Sequence, residues 1–352
     1  MILTHMSDPK LLDASQVDPS ELDAFLRRVY SPRKSDFLKA HGAWLHRSNA
    51  NRLIVQVDGQ IAGYCALIPT QVWAAGRVHS ALWWVDLVIA SEFRGRGLQS
   101  IVDKRVREMS NLLLGFPNEL ARIIHRKHGW GVREDAQVLL LPLDPPQVKS
   151  VRSAEGPRGQ VIRAGAQALR PLASIWRGWL ASRKAPLAWR LDAFDGGVFS
   201  NIFLHANSDQ LNTAWRDESY FDWRYKHAPH PEEFRYYLAG TATPTHYLIA
   251  RHLTQPDGLR YTRILDLFGD FDDIVAIHDL LTLAVQDAIA NGSSQVTLVA
   301  SGSQVMKSAR RLGFLFSIPC GFCWWSESAE LMSTFSGESY WTMSDSDNDE
   351  PE

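Results

Sequence analysis

The stretch RGRGLQ at residues 94–99 has the residue types of an anion site. It lies between an apolar run typical of a strand, ALWWVDLVIA, and a run typical of a helix, LQSIVDKRVREMS. The first amides of a helix have no intrahelical partner, and the helix dipole adds positive potential there. Gly95 and Gly97 allow the backbone to approach an oxygen-rich group closely, and Arg94 and Arg96 add positive charge. The sequence therefore predicts a phosphate-binding turn.

Two well-known phosphate loops differ from this turn. A Walker loop would need a Gly-Lys-Ser/Thr ending, which is absent here. A dinucleotide fold would use G-x-G-x-x-G, whereas Ser100 occupies the third glycine place of this stretch. A purely structural turn between strand and helix remains an alternative.

The residues around the turn predict a defined order of elements. Residues 51–90 have the pattern of three antiparallel strands, and Asp58-Gly59 is typical of the tight turn between the first two. After the turn come an amphipathic helix, a buried strand NLLLGF, and a helix ELARIIHRKHG that ends at Gly129.

This order, with the residues in it, resembles the GNAT superfamily of acyl-CoA-dependent N-acyltransferases. The pyrophosphate motif of that family is Q/R-x-x-G-x-G/A. Arg94 and Gly97 match it, and Gln99 stands where the family usually has Gly or Ala. GFPN at 115–118 and HRKHGW at 125–130 resemble the family's fifth strand and fourth helix.

The resemblance implies an acyl-CoA site between the fourth and fifth strands, with acetyl-CoA or another acyl-CoA as co-substrate and no metal. Backbone of the fourth strand would bind pantetheine and the thioester carbonyl, and the turn amides would bind the pyrophosphate. The residues so implied are Leu87, Val88, Ile89, Arg94, Gly95, Arg96, Gly97, Leu98, Gln99 and Asn118.

Two side chains are candidates for proton transfer. The family's usual general acid is a Tyr in the fourth helix, and its place holds His125, which can donate a proton to a thiolate. The alternative is a basic, solvated helix end. Asp86 lies in an apolar strand, where we expect burial to raise its pKa and make it a base. The alternative for Asp86 is a structural acid, because Asp266 occupies the equivalent place in a second copy of the pattern.

That second copy is indicated by three matches at near-constant offsets. AWLHRSNA at 43–50 resembles DWRYKHAP at 222–229, VDLV at 85–88 resembles LDLF at 265–268, and HRKHGW resembles ARRLGF at 309–314. In the second copy Asp270, Asp272 and Asp273 replace the arginines, and Ala309 replaces His125. Carboxylates there would repel a pyrophosphate, so this copy is interpreted as degenerate.

The predicted fold class is accordingly α/β (α+β), with two tandem GNAT-like domains that each have a mixed central sheet flanked by helices. Residues 1–147 would form the domain with the acyl-CoA site. Residues 148–352 would form the degenerate domain, with a structural role or a part in the acceptor pocket. The join is expected in 145–160, which is rich in Pro, Gly and charge.

Composition excludes several other classes. Net charge is −2, which does not suggest bulk binding to nucleic acid or to anionic membranes. No apolar run is long enough to span a bilayer, and the first residues do not resemble a signal peptide. Three cysteines suit a reducing cytoplasm, and the CGFC pair at 320–323 is interpreted as packing in a strand. YWTMSDSD at 340–347 is expected to be a final strand, followed by a solvated acidic end.

The predicted function is transfer of an acyl group, acetyl in the first instance, to an amine of a small molecule or amino sugar. One alternative is an N-acyl amino acid synthase that uses an acyl carrier protein, and another is a non-catalytic acyl-CoA-binding protein. A two-domain transferase that uses charged tRNA is disfavoured by the CoA-type turn. Nothing in the sequence indicates an oligomeric state.

Overall fold

The computed structural model describes residues 8–206 and 211–347 of the chain. The first part contains six strands and four helices in a single pass along the chain. They are β1 (Lys10–Asp13), α1 (Pro19–Val29), α2 (Pro32–Leu45), β2 (Arg52–Val57), β3 (Gln60–Ala74), β4 (Arg77–Ile89), α3 (Leu98–Met109), β5 (Leu112–Gly115), α4 (Glu119–Lys127) and β6 (Gly131–Pro142).

The second part begins with two helices and then repeats the alternation of strands and helices. Its elements are α5 (Lys149–Arg152), α6 (Gly156–Ala181), β7 (Ala188–Leu191), α7 (Gly196–Ala206), β8 (Asn212–Ala214), α8 (Glu218–Phe221), β9 (Phe234–Gly240), β10 (Pro244–Thr254), β11 (Arg260–Gly269), α9 (Ile274–Ala290), β12 (Gln295–Ala300), α10 (Ser303–Arg311), β13 (Phe316–Ser326), α11 (Ala329–Thr334) and β14 (Ser339–Tyr340).

Local sequence explains where several of these elements begin and end. Asp18 caps α1 by accepting a hydrogen bond from the Ser20 amide, and a proline follows the cap. Asp58 and Gly59 both have positive φ in the turn between β2 and β3, as a tight hairpin turn of this kind requires. Gly129, at φ +78°, follows the end of α4. The predicted hairpin, the helix after the glycine-rich turn and the helix ending at Gly129 are confirmed.

One mixed sheet runs through both parts of the chain. Its strand order is β1-β2-β3-β4-β5-β13-β6-β12-β11-β10-β9-β7, with β8 joining β3 to β14 at one side. Strand β13 comes late in the sequence, yet it pairs antiparallel with both β5 and β6. Strand β6 pairs in turn with β12. The two parts therefore complete each other's sheet, and a boundary at residues 147/148 stays a prediction about the chain order.

The second part repeats the geometry of the first around a pair of matching tryptophans. Trp44 and Trp223, which the sequence repeat aligns, each donate the indole N–H to the other's backbone oxygen at 3.1 Å. Their rings lie 6.0 Å apart. A reciprocal pair of this kind is the contact expected of two elements related by an approximate twofold axis.

Two sequence predictions need correction. The expected linker at 145–160 is largely helical, because α5 lies within it and α6 begins at Gly156. The expected final strand at 340–347 is confined to Ser339–Tyr340, and Met343–Asp345 form a 3-10 turn whose side chains are buried. The end of the acidic tail, residues 348–352, lies outside the described residues.

Candidate acyl-donor site

A cleft of about 920 Å³ opens where β4 and β5 diverge. The two parallel strands pair only at Leu82 with Leu113 and at Trp83 with Leu114. Beyond these pairs β5 ends at Gly115, whereas β4 continues to Ile89. The side of β4 that faces the missing partner therefore lines the cleft with backbone of Leu87, Val88 and Ile89 among its residues. Such an edge can pair with an extended ligand as another strand would.

A bulge in β4 shapes this edge. The register between β3 and β4 shifts where Asp86 lies, and Asp86 adopts φ +56°, which is uncommon for a residue other than glycine. The Tyr30 hydroxyl donates a hydrogen bond to the Asp86 carbonyl at 2.6 Å. This bond fixes the bulge from the side of α1, so the backbone after it is presented in one conformation.

The glycine-rich turn lies at the open end of the cleft. Arg94, Gly95, Arg96, Gly97, Leu98 and Gln99 all line it. Gly97 is the N-cap of α3 and has no side chain with which to cap the helix amides. Both arginines are exposed; the Arg94 guanidinium donates to the Ile89 carbonyl, and that of Arg96 donates to the Glu92 carbonyl and lies over the Phe93 ring. The predicted strand, turn and helix thus form an electropositive end of the cleft.

Backbone conformation explains the two glycines of the turn. Gly95 has φ +76° and Gly97 has φ +74°, in the left-handed region that side chains disfavour. A Cβ at either position would meet no protein atom within 4 Å. The protein itself therefore does not crowd these positions, and the space beside them is available to a ligand.

Asn118 has a defined structural role in the cleft wall. It is the N-cap of α4, and its side-chain oxygen accepts a hydrogen bond from the Ala121 amide at 2.9 Å. It also lines the cleft. The family resemblance implied a cofactor contact here, which stays a prediction.

His125 lines the same cleft from α4 but is not a solvated helix end. Its side chain is buried against two tryptophans, with ring centroids 5.3 Å from Trp84 and 4.4 Å from Trp130. Burial lowers the pKa of His125 to about 4, although the Asp103 carboxylate acts in the opposite direction. At neutral pH the ring is therefore neutral and offers an N–H donor rather than an imidazolium.

Asp86 is paired, and this changes its expected chemistry. One carboxylate oxygen lies 2.8 Å from the Lys34 ammonium, and the other lies 3.6 Å from His46 Nε2. Burial alone would raise the pKa of Asp86, but the adjacent His46 and Lys34 outweigh it and hold the pKa below its usual value. The expectation of a raised pKa is therefore wrong, and the pairing favours a structural acid that fixes α2 against the bulge.

Sequence reasoning missed two further residues of the cleft. Lys34 also contacts the Asp347 carboxylate, at 3.3 Å, so a single ammonium lies between two carboxylates. Burial and the nearby Asp86 raise the pKa of Asp347. Lys34 is separated from Asp347 by 313 positions in the chain. No local pattern could have joined them, and the acidic composition of the tail suggested solvent instead.

The corresponding gap in the second part is filled by the chain itself. Strand β11 pairs with β12 only over Thr262–Ile264, so these strands also diverge, yet the space between them measures only about 10 Å³. Tyr340 and Thr342 line it, and the Tyr340 hydroxyl donates to the Leu267 carbonyl. Asp266, the counterpart of Asp86, pairs here with the buried Arg216 at 3.0 Å.

The turn of the second part also differs in structure. Asp273 caps α9 by accepting from the Ala276 amide, as the sequence indicates. A Cβ at Gly269 would lie 2.2 Å from the His246 ring, so His246 occupies the space beside this turn. In residues 8–206 and 211–347 no cluster of His, Cys, Asp and Glu has a metal-binding arrangement. Among the same residues no helix is both long and apolar enough to cross a membrane.

Comparison with solved structures shows the fold. The chain has the fold of the GNAT acyltransferases. Saccharomyces cerevisiae N-myristoyltransferase with bound myristoyl-CoA is similar over 92% of this chain and 83% of its own, with a TM-score of 0.61 and 12% identity. A GCN5-related N-acetyltransferase from Anabaena variabilis is similar over 90% and 72%, with a TM-score of 0.55 and 15% identity.

A GCN5-related N-acetyltransferase from Kribbella flavida gives values close to these, at a TM-score of 0.54, 15% identity and coverage of 90% and 70%. No protein-family model and no curated protein sequence matches the chain. The likeness is therefore one of structure, at identities where side-chain roles do not transfer.

Proposed function

We propose that this protein is an acyl-CoA-dependent N-acyltransferase, with acetyl-CoA as donor and an amine of a small molecule or amino sugar as acceptor. The observation that carries the proposal is the cleft between diverging β4 and β5, which opens beside the uncapped N-terminus of α3. Only a ligand with both an extended polar arm and an anionic end uses both features. Acyl-CoA has that chemistry.

A short acyl group is favoured by the inner end of the cleft. The strands close at the Trp83–Leu114 pair, and Phe116 stacks on Trp83 with centroids 5.0 Å apart. Trp83 is fully buried, so the stack is held in place. An acetyl group needs no displacement of these rings, whereas a long acyl chain would need a channel past them.

Catalysis by direct transfer asks little beyond positioning and proton transfer. Free amides of β4 after the bulge would polarise the thioester carbonyl. The acceptor amine attacks that carbonyl, the C–S bond breaks, and the neutral His125 ring donates a hydrogen bond to the departing thiolate. Of the two carboxylates in the cleft, Asp347 has the raised pKa and is therefore the better acceptor for the ammonium proton.

Mass spectrometry of the purified protein for co-purified CoA tests the proposal most directly. A panel of amines follows, with donors from acetyl-CoA to myristoyl-CoA and release of free CoA as the readout. Turnover with a loaded acyl carrier protein but not with any acyl-CoA would favour the synthase alternative. Tight acyl-CoA binding without turnover on any amine would favour a binding protein.

We expect Gly97→Val to weaken acetyl-CoA binding at least about tenfold, or about 1.4 kcal/mol. The side chain would fill the space beside the α3 amides, where the protein itself leaves room. Gly76→Val is the matched control, because Gly76 has φ +71° in the distal β3–β4 turn and also meets no atom within 4 Å. Both variants carry the same backbone strain, so calorimetric affinity should fall only in Gly97→Val. Equal affinity in the two folded variants would contradict the assignment.

We also expect one acyl-CoA per chain. The second gap is filled by Tyr340 and Thr342, and His246 occupies the space beside its turn. Titration calorimetry of the wild-type chain should give a stoichiometry near one. A stoichiometry near two that falls to one in Gly97→Val would show a second donor site and overturn this prediction.

A further inference from the structure

Helix α6 exposes an apolar face that no other part of the described chain covers. The helix spans Gly156–Ala181, about 39 Å at 1.5 Å per residue. Its large apolar side chains are between 39% and 72% exposed. These residues, named here the α6 apolar face, are Val161, Ile162, Leu169, Leu172, Ile175, Trp176 and Trp179.

The helix is attached to the body of the protein through a different face. Its buried residues are Gly159, Ala166 and Leu180, two of which are small. At 100° per residue these three positions lie on one stripe, and the α6 apolar face lies beside that stripe rather than on it. The exposed face is therefore not the one on which α6 docks against its own fold.

Tryptophans extend this face toward a neighbouring turn. Trp176 and Trp179 stack with ring centroids 4.4 Å apart, and Arg183 lies over the Trp179 ring at 4.6 Å. Trp176 also covers Gly313, at which a Cβ would lie 2.8 Å from the indole nitrogen. Leu315, two residues further on, is 75% exposed. The apolar surface thus continues beyond the helix.

The charge of this region is opposite to that of the whole chain. Residues 149–184 contain eight Lys and Arg and one acid, Glu155, although the chain has a net charge of −2. Four of the arginines lie in α6 itself, which has no Asp or Glu. Arg170 contacts Asp144 at 3.3 Å and is still half exposed. Net charge therefore conceals a basic segment around an apolar face.

We propose that α6 docks this protein onto the surface of an anionic lipid bilayer. A helix with exposed Leu, Ile and Trp on one face and only basic charge is the type that lies in the membrane interface. Tryptophan is favoured at that depth, and each basic residue near the surface adds attraction to anionic lipid. Two copies of α6 facing each other would bring like charges together, so a bilayer fits the charge better than self-association. The inference does not depend on the acyl donor.

Cosedimentation with vesicles tests the inference. We expect the wild-type chain to bind vesicles of phosphatidylcholine with 30% phosphatidylglycerol, a composition near the ~30 mol% typical of binding assays for interfacial helices. Binding to pure phosphatidylcholine should be at least about tenfold weaker. Leu172→Glu/Ile175→Glu should lower binding to the anionic vesicles at least about tenfold, because two charges enter the apolar face.

The matched control adds the same two charges elsewhere on α6. Gln160 and Gln167 are exposed and lie opposite the α6 apolar face, so Gln160→Glu/Gln167→Glu changes the charge equally but leaves that face intact. This variant should retain more vesicle binding than Leu172→Glu/Ile175→Glu. Equal loss in both, or equal binding of wild type to neutral and anionic vesicles, would overturn the proposal. So would the absence of vesicle binding together with a dimer, by light scattering, that Leu172→Glu/Ile175→Glu dissociates.

Discussion

Replacing His125 by alanine is expected to lower turnover by about 10² while acyl-CoA affinity stays nearly unchanged. The imidazole lines the donor cleft, and a hydrogen bond to the departing thiolate forms only as the C–S bond breaks. Steady-state rates with the best amine of the acceptor panel, measured where chemistry limits the rate, give the first number. Calorimetry with acetyl-CoA gives the second.

A packing role for His125 is separated from a chemical one by the choice of variants. His125→Phe keeps a ring between Trp84 and Trp130 but removes the N–H, so it should be as slow as His125→Ala. His125→Tyr restores a donor and should recover part of the rate, because a phenol is the group that the family resemblance implies at this place. Wild-type turnover in His125→Phe would leave His125 as a packing residue.

The pH dependence gives an independent check on the form of the ring. Because burial lowers the pKa of His125 to about 4, an N–H donor is present on a neutral ring throughout the range of about pH 6 to 8. The His125 contribution to kcat should therefore not decline as pH rises through about 6.5, where an unperturbed imidazolium would be lost. A wild-type decline centred near that pH which His125→Phe abolishes would instead assign an imidazolium acid.

The same shift has a consequence for stability. The folded state binds the His125 proton less tightly than the unfolded state, so the neutral ring is accommodated fully above the unfolded pKa of about 6.5. As pH falls from there toward 4, the unfolded state gains a proton that the folded state does not, and stability is lost. His252, buried with a pKa also lowered to about 4, adds to the loss in the same window.

Much of the fold around the turn could be predicted because its signals are local. Alternation gave β2 to β4, a turn dipeptide gave the hairpin at Asp58-Gly59, and glycines with positive φ gave the turn before α3. The filled second gap was also indicated by its carboxylates, although the sequence could not show that Tyr340 and Thr342 occupy it. Each correct prediction rested on residues within about one element of each other.

The rest depends on contacts between distant parts of the chain. Asp86 was expected to be a lone buried carboxylate, and its pKa has the opposite shift because α2 brings Lys34 against it. Strand β13 lies between β5 and β6 only because the two parts complete one sheet. The acidic tail was expected to be solvated from composition, yet Asp345 and Asp347 are buried by partners far away in sequence. Composition predicts none of these pairings.

Replacing Arg216 by methionine is expected to lower the free energy of unfolding by about 3 to 5 kcal/mol. The guanidinium is fully buried and lies between two carboxylates, at 3.0 Å from Asp266 and 2.8 Å from Asp345. It also donates to the Thr213 hydroxyl and the Ala214 carbonyl. Methionine fills the volume but leaves both acids without a counter-charge in a site from which water is excluded.

Urea unfolding measures this loss, and a surface pair provides its control. Arg152 lies 2.7 Å from Asp257, as close as Arg216 lies to its acids, but both partners are about 40% exposed. Arg152→Met should therefore change the free energy of unfolding by less than about 1 kcal/mol. Equal losses in the two variants would contradict the view that burial makes the Arg216 network important for stability.

Loss of Arg216 should also reach the donor cleft through the C-terminal segment. Arg216 holds Asp345, which lies two residues before Asp347, the carboxylate that shares Lys34 with Asp86. Asp345→Asn is the milder probe, because burial raises the pKa of Asp345 to about 6 and its neutral form is already tolerated in the folded state. We expect Arg216→Met to reduce turnover of the folded fraction more than Asp345→Asn does, since only the former frees the whole segment. Full turnover in folded Arg216→Met would show that Asp347 is positioned by Lys34 alone and that the second part contributes stability without shaping the donor site.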